Sequence, residues 1–426
     1  MSRWSHRSRV VASLALLGAG VSSITLGVSS LVTGQSIEET PPPNGVLSID
    51  AFAQPDGNPL PDPDLRIDRF GARLSVFHQT GRGYQSQAEI DASGRGSEFV
   101  FIANPVIYTH ITHREGITHD VYLPIDILTS ASTDALDAVS TASRDNESFT
   151  LDVTTTIPDG NDTRYFLRWG AHVEEELKAG NGGLGISLDL ADDNAQLILG
   201  VDAIVDIFDP VQYNGTDLGL TERLTLSANG TLSQLLSETT TLAVSVGLTG
   251  QIGHIQTPWN SVPLTDGTVR DGGRTADLFP PSRLRAAASA RLAQAVPDSR
   301  TYLQAAYRLY LDDYGVVAHS AEGTVTQYLT DDFWLRGSYR FHSQGAPYFW
   351  ANELPRSSAL RMYRTADSDL AALDLHEVSA SFRYFYDRQG QPSDRSGYVE
   401  LGYTYYGRSN SLEIHMGTLG FQTAFW

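Results

Sequence analysis

The sequence predicts an all-β chain, an antiparallel transmembrane β-barrel of about 16 strands (range 12–18), and three observations carry that prediction. Apolar and polar residues alternate with period two in segment after segment, as they do where one strand face meets oil and the other meets water. The alternating segments run about 10 to 15 residues, beyond the ~5 to 6 usual in soluble sheets and enough for the ~9 to 11 that cross a bilayer at a tilt. Composition agrees: among 426 residues there are 38 Gly, 19 Tyr and 16 Phe, and only 19% are charged, against roughly 25% in an ordinary soluble domain.

The N-terminus comes first. Arg3, Arg7 and Arg9 precede a run from Val10 to Ile37 without a charge, the basic-then-apolar order of an export signal. Its second half is diluted by Gly20, Ser22, Ser23, Thr25, Gly27, Ser29 and Ser30, which favours a cleaved signal over a membrane anchor. Residues 1–34 are therefore expected to be a signal peptide. Residues 35–69, with Pro41-Pro42-Pro43 and four more prolines between Pro55 and Asp64, read as a Pro-rich periplasmic leader. The barrel is assigned to 70–426. Loss of three arginines takes the formal charge from −20 to −23.

Strands are expected near 71–80, 97–112, 117–130, 148–157, 163–176, 184–192, 195–208, 222–234, 239–254, 283–295, 300–311, 316–330, 332–344, 376–387, 396–407 and 412–425. In the segment 333–342, Phe333, Leu335, Gly337, Tyr339 and Phe341 alternate with Arg336, Ser338, Arg340 and His342. The same split puts Leu303, Tyr307 and Leu311 opposite Arg308 and Asp312, Val378, Phe382 and Tyr386 opposite Arg383 and Asp387, and Tyr165, Leu167 and Trp169 opposite Arg168 and His172. No other stretch is apolar for long enough to be a membrane helix.

Connections follow. Pro158-Asp159-Gly160-Asn161, Asp192-Asp193-Asn194, Asp312-Asp313-Tyr314-Gly315 and Thr330-Asp331-Asp332 have the side chains and glycines of tight reversals. Two connections, 255–282 and 345–375, are long, and are expected outside the cell or folded into the lumen. An interfacial girdle is expected from Tyr302, Tyr310, Tyr314, Tyr328, Phe333, Trp334, Tyr348, Phe349, Trp350, Tyr384, Tyr386, Tyr403, Tyr405 and Tyr406. The chain closes on Phe425-Trp426, and Thr418 to Phe425 is similar to the terminal signal that barrel-assembly machinery reads, with Thr423 in an apolar slot and a bulge expected near 417.

The same numbers exclude classes of function. A charge of −20 with a single lysine, Lys178, argues against nucleic acid, and the absence of cysteine removes disulfides, thiolate metal sites and a Cys nucleophile. Partners expected instead are outer-membrane lipids and the assembly machinery at the C-terminal strand. Neither a cofactor nor a metal is implied.

Candidate chemistry lies in the lumen. Arg308, Asp312, Arg336, Arg340, His342 and Arg383 are expected to point inward, where facing charges make a polar channel, hold an anionic solute, or neutralise one another and fill the barrel. Arg364 and Asp367, in 345–375, are candidates for a constriction. An enzyme needs a nucleophile and base in reach. His319-Ser320 and His342-Ser343 supply the residue types, but adjacent strand residues face opposite ways, and no Gly-x-Ser-x-Gly or His-Glu-x-x-His occurs. His119, His172, His319 and His342 would have to cluster across strands, and His110 with His113 and His119 would have to close on a metal.

Several strings resemble a known family. Asp126-Ile-Leu-Thr-Ser130-Ala-Ser132, then Asp137-Ala-Val-Ser-Thr-Ala-Ser143 and Asp162-Thr-Arg164 are similar to the core of the outer-membrane family labelled domain of unknown function 3570. So are Tyr307-Arg308 through Asp312-Asp313-Tyr314-Gly315 with His319-Ser320, Tyr339-Arg340 through Gln344 to Tyr348-Phe349, and Tyr363 to Leu370. The resemblance spans roughly 70–426. It departs at Tyr314, where a Trp is expected, and in a polar 255–275 loop. It implies a Gram-negative outer-membrane barrel without assigned activity, near a lipoprotein and redox neighbours. Asp126, Ser130, Ser132, Asp137, Ser143, Asp313, Gly315, His319 and Gln344 are its motif residues. Asp126, Ser130, Asp137 and Ser143 would suit a hard cation, but lack the spacing of a calcium loop and serve equally as short polar residues in a crowded lumen. The function expected is a pore or an envelope scaffold, with a barrel-wall lipid hydrolase or a sleeve around a lipoprotein or redox partner as alternatives.

Overall fold

The computed structural model describes residues 65–80, 100–113, 116–129, 146–160, 162–174, 177–191, 194–210, 212, 216–256, 261–264, 273–355, 363–387 and 397–425. The expected signal peptide and most of the leader lie outside these residues, as do Ser130, Ser132, Asp137 and Ser143. The first strands are β1 (Leu65–Thr80), β2 (Val100–His113), β3 (Thr118–Thr129), β4 (Asn146–Asp159) and β5 (Thr163–Val173). Then come β6 (Leu177–Leu190), β7 (Ala195–Phe208), β8 (Thr221–Ser237) and β9 (Thr240–Gly253). Two short strands, β10 (Ser261–Pro263) and β11 (Arg274–Ala276), pair only with each other. The wall resumes with β12 (Ser282–Val296), β13 (Thr301–Asp312), β14 (Val317–Tyr328) and β15 (Phe333–Gln344). It ends with β16 (Leu373–Asp387), β17 (Gly397–Arg408) and β18 (Glu413–Ala424).

Every wall strand is antiparallel to its sequence neighbours, and β1 pairs with β18, so the 16 strands outside the β10–β11 hairpin close into one barrel. Closure leaves no edge strand, the condition for a sheet to stand in lipid. All sixteen expected strands are present. Two begin more than five residues earlier than expected: β1 starts at Leu65, inside the assigned leader, and β6 at Leu177. The bulge expected near 417 is absent, since β18 keeps one register from Glu413 to Ala424 against β1 and from Glu413 to Gln422 against β17. Thr423 blurs the sequence alternation without breaking the ladder, pairing with Phe70.

The oily flank of each segment faces outward. Leu184 is 60% exposed, Leu401 62% and Leu248 56%, whereas Arg340 is 8% exposed and Glu377 2%. Large apolar side chains on the outside with buried charge within invert a soluble protein and match a lipid-facing barrel. Among the described residues no helix is long and apolar enough to cross a membrane. The expected girdle needs correction: Tyr310, Trp334 and Tyr406 are inward and buried, and Tyr314 and Phe349 are buried in the mouth. Tyr384, Tyr386 and Tyr403 do stand outside, joined by Tyr165, Trp169, Tyr307 and Tyr339. An aromatic in a period-two strand takes whichever face its parity dictates, so aromatic density alone does not locate it.

The longest connections distinguish the two ends. The two longest, 254–281 and 345–372, lie at one end together with the short connections 174–176, 313–316 and 409–412, and the connections 160–162, 191–194, 238–239, 297–300 and 329–332 lie at the other, which also holds both ends of the sheet.

Candidate functional site

Parity brings the candidate residues to one inner surface. Arg308 and Asp312 on β13, Arg336, Arg340, His342 and Gln344 on β15, and Arg383 on β16 all face inward, sharing parity with the buried residues of their strands. Most are paired. The guanidinium of Arg340 donates to Glu377, its register partner on β16, and Arg383 Nε donates to Glu400 Oε2 at 2.6 Å. The Arg383 guanidinium also lies 4.6 Å from the Trp334 ring and 3.8 Å from that of Tyr398, and Arg336 lies 4.7 Å from Trp334 while donating to Thr326 Oγ1 at 3.1 Å. Asp312 accepts from Arg283 Nε at 3.0 Å and from the Tyr310 hydroxyl at 2.9 Å. Across the barrel, Arg168 meets Asp202 at 2.6 Å and Arg223 meets Asp206 at 2.7 Å.

The charge is uneven around the wall. On β12 to β15 the inner face carries Arg283, Arg285, Arg291, Arg308, Arg336 and Arg340 against Asp312 and Glu322. On β4 to β8 it carries Asp152, Asp189, Asp202 and Asp206 against Arg164, Arg168 and Arg223. One side is therefore a cationic sector, and fixed cations on a low-dielectric wall concentrate anions.

The two long connections meet in the mouth. Gln344 donates through Nε2 to the carbonyls of Asp369 and Ala371, each at 2.8 Å, and Arg408 binds the Asp369 carboxylate. Both holders are inward-facing, so 363–372 lies against the inner wall. Loop joins loop through a two-way backbone pair between Leu278 and Arg364, at 3.0 and 2.9 Å, and through Leu354 N–H to Pro263 O at 2.9 Å. Phe279, Tyr314, Phe349 and Leu370 form an aromatic core beneath, with Tyr314 1% exposed and its hydroxyl donating to Pro280 O at 3.0 Å.

The Asp313-to-Gly315 motif is a turn. Asp312 Oδ1 accepts from Val316 N–H at 2.8 Å, and Gly315 has φ +87°, a left-handed conformation that suits glycine. Arg364 donates through Nε to Ala276 O at 2.9 Å. Thr365 Oγ1 donates to Asp277 Oδ2 at 2.7 Å and accepts from Asp367 N–H at 3.0 Å. Asp277 and Asp367 are both buried between the loops. Burial raises the Asp277 carboxyl to about 7, opposed by the Thr365 hydrogen bond and the Arg364 charge. It raises Asp367 well above the carboxylate range, helped by repulsion from Asp369 and Asp277.

The histidines do not gather. His342 Nδ1 meets Ser320 Oγ at 2.8 Å inside the wall and His172 meets Thr150 at 2.7 Å, whereas His319 is outside, with Nδ1 2.5 Å from the Tyr307 hydroxyl. His110 binds Asp120 at 2.6 Å while the His113 and His119 rings pack together at 4.8 Å. Among the described residues no three His, Asp or Glu converge as a metal site. On the lipid side His319, Ser343 and Asp374 are successive register partners. Among the described residues no hydrogen bond joins them, and the Nδ1 of His319 is taken by Tyr307, so the row lacks the relay of a hydrolase. Asp126 is opposite Ser148 in the β3–β4 ladder.

Glu377, Glu400, Glu322, Asp277 and Thr365 escaped the sequence reading. The three glutamates share parity with neighbouring inward residues and were accessible that way; the loop pair had no periodic signal.

The family model described as "Protein of unknown function (DUF3570)" matches residues 202–383. It takes in the strings at 307–320, 339–349 and 363–370 and leaves those at 126–143 and 162–164 outside. No curated protein matches. Among solved structures the chain is similar to OpdK of Pseudomonas aeruginosa crystallised with vanillate, at 8% identity and TM-score 0.39, over 85% of this chain and 99% of that one. It is also similar to a BenF-like porin from Pseudomonas fluorescens Pf-5, at 8% identity and TM-score 0.41 over 85% and 99%. OccD3 (OpdP) of P. aeruginosa gives 10% and 0.38 over 84% and 92%.

Proposed function

We propose that the chain, whose residues 202–383 match the DUF3570 family model, is a Gram-negative outer-membrane barrel of that family, exported by its N-terminal signal, that passes small anionic solutes through a mouth narrowed by its own loops. The observation that carries this reading is the cationic sector: with the paired Arg340–Glu377 and Arg383–Glu400 counted, the inner faces of β12 to β17 carry eight arginines against four carboxylates. A purely structural lumen has no need of that excess, since mutual neutralisation requires equal numbers. Arg308, Arg336 and Arg340 make the path, and Arg364 borders the constriction. Loops that occupy the mouth favour passage of a small solute over a sleeve for a lipoprotein partner.

Planar-bilayer recording of purified protein tests it. The expected result is a small conductance with a reversal potential on the anion side in a KCl gradient, shifted toward cations by Arg308→Gln with Arg336→Gln and enlarged by deletion of 345–372. Silence of both the wild type and the deletion would turn the assignment to an envelope scaffold.

A further inference from the structure

Between the two long loops lies a seam that is closed by carboxyl groups. Asp277 follows β11, in the first loop; Thr365, Asp367 and Asp369 belong to the second. Thr365 is 0% exposed and sits between the acids, donating to Asp277 Oδ2 and accepting from Asp367 N–H. Asp367 Oδ1 accepts from Asp369 N–H at 2.9 Å, and its carbonyl accepts from Trp350 Nε1 at 2.7 Å. One oxygen on each acid is left over: Asp277 Oδ1 and Asp367 Oδ2 are buried without a hydrogen-bond partner. An ionised carboxylate in that condition is costly, and the usual remedies are a proton or a cation. Within the seam two acids present such an oxygen, and no three-ligand group forms among the described residues, so the proton is the better occupant.

We propose that the seam between 273–281 and 363–372 is a proton-dependent latch: with Asp277 protonated the two loops stay docked across the mouth, and its ionisation releases them. This rests on the pore reading for its consequence, not for its chemistry. The charged groups around Asp277 are Arg274 from β11 and Arg364, with Asp367 and Asp369 beyond them and Arg408 of β17 holding Asp369 to the wall. Burial holds the proton on Asp277, the Thr365 hydrogen bond and the two nearby arginines favour ionisation too weakly to cancel it, and the net position of Asp277 is about 7. The sign follows. The docked seam binds the proton more tightly than hydrated loops do, so docking is strongest below the ordinary carboxylate range, weakens as pH rises toward 7, and is weakest above it. Asp367 is raised in the same direction, by burial and by the charges of Asp369 and Asp277, and so biases the seam in the same sense. The mouth is thus closed in acid and freer at pH 8.

The test pairs two readouts on full-length protein in liposomes and planar bilayers. Conductance of the wild type is expected to rise several-fold from pH 5 to pH 8, whereas Asp277→Asn, which keeps an acceptor for Thr365 but cannot ionise, is expected to stay in the low state at both. Hydrogen exchange in peptides covering 273–281 and 363–372, corrected for the intrinsic pH effect, is expected to quicken at pH 8 in the wild type alone. Exchange that is equally slow at both pH values, or equally pH-dependent in Asp277→Asn, overturns the latch whether or not the barrel conducts. A protein that never conducts but shows the exchange difference keeps the latch and loses the pore. Calcium that slows exchange at pH 8 in the wild type and not in Asp277→Asn would replace the proton by a cation and also overturn the proposal.

Discussion

Arg340 and Glu377 face each other across the β15–β16 ladder, both inward and both under a tenth exposed. Such a pair is a weak source of stability while intact and a heavy liability when halved, because the survivor is a buried, unpaired charge. Arg340→Leu should therefore cost about 3–5 kcal/mol, and adding Glu377→Leu should return most of it; urea titrations of the liposome-inserted protein would show this as a lost and regained midpoint. Parity marks both Arg340 and Glu377 as inward but not that they pair, since that requires the register across the long 345–372 connection. Glycine poses the reverse problem. A Cβ on Gly185 would stand 2.0 Å from the Phe166 ring and 2.8 Å from Leu199 O, and one on Gly183 2.1 Å from Asp202. Phe166, 6% exposed, lies over the gap that Gly185 leaves. Gly185→Ala should thus cost about 1–3 kcal/mol by overpacking, read as a lower unfolding midpoint, while the same change at Gly250, with nothing within 4 Å of its Cβ position, should cost far less.

Those glycines also explain which elements the sequence displays. β6 was expected from 184, because Gly180, Gly182 and Gly183 have no side chains with which to show period two; the strand nonetheless pairs from Leu177 with Phe208 and from Lys178 with Val173. Where side chains alternate, as in β13, β15 and β16, the strand and its lipid face were both legible. The loops were legible only as lengths: nothing periodic joins Leu278 to Arg364. The lipid-facing assignment makes its own prediction on β17. Leu401, 62% exposed at the middle of the strand, and Thr404, on the inner face, differ only in parity. Arginine at the bilayer midplane costs about 2–4 kcal/mol. Leu401→Arg should lose about that much in liposomes and Thr404→Arg much less, a contrast that would vanish if the outer flank met protein instead of acyl chains.

At the level of the whole molecule, an even strand number brings both ends of the sheet to the short-turn end, so that the last strand can be zipped to the first. The weight of the fold therefore falls on β1 against β18, the one pairing not secured by a turn. Its register runs unbroken from Arg69 opposite Ala424 to Thr80 opposite Glu413. Ser75 and Thr418 are directly opposed on the inner face, with Ser75 1% exposed and their hydroxyl oxygens 3.4 Å apart. Directly opposed residues in an antiparallel pair have Cα atoms about 4.5–5.5 Å apart, within the roughly 4.4–6.8 Å that a disulfide spans. The native chain has no cysteine, so Ser75→Cys with Thr418→Cys introduces two thiols that have only each other to find. Oxidation of the folded, membrane-inserted protein should link them in high yield and make the chain a covalent ring that migrates anomalously after boiling without reductant. A one-residue slip would put one thiol outside the wall and the other inside, and shifting one substitution, to Ser75→Cys with Leu419→Cys, should abolish the link. Equal cross-linking of both pairs would mean that the barrel does not close in this register, and the inside-outside assignment of every residue on β1 would have to be redrawn.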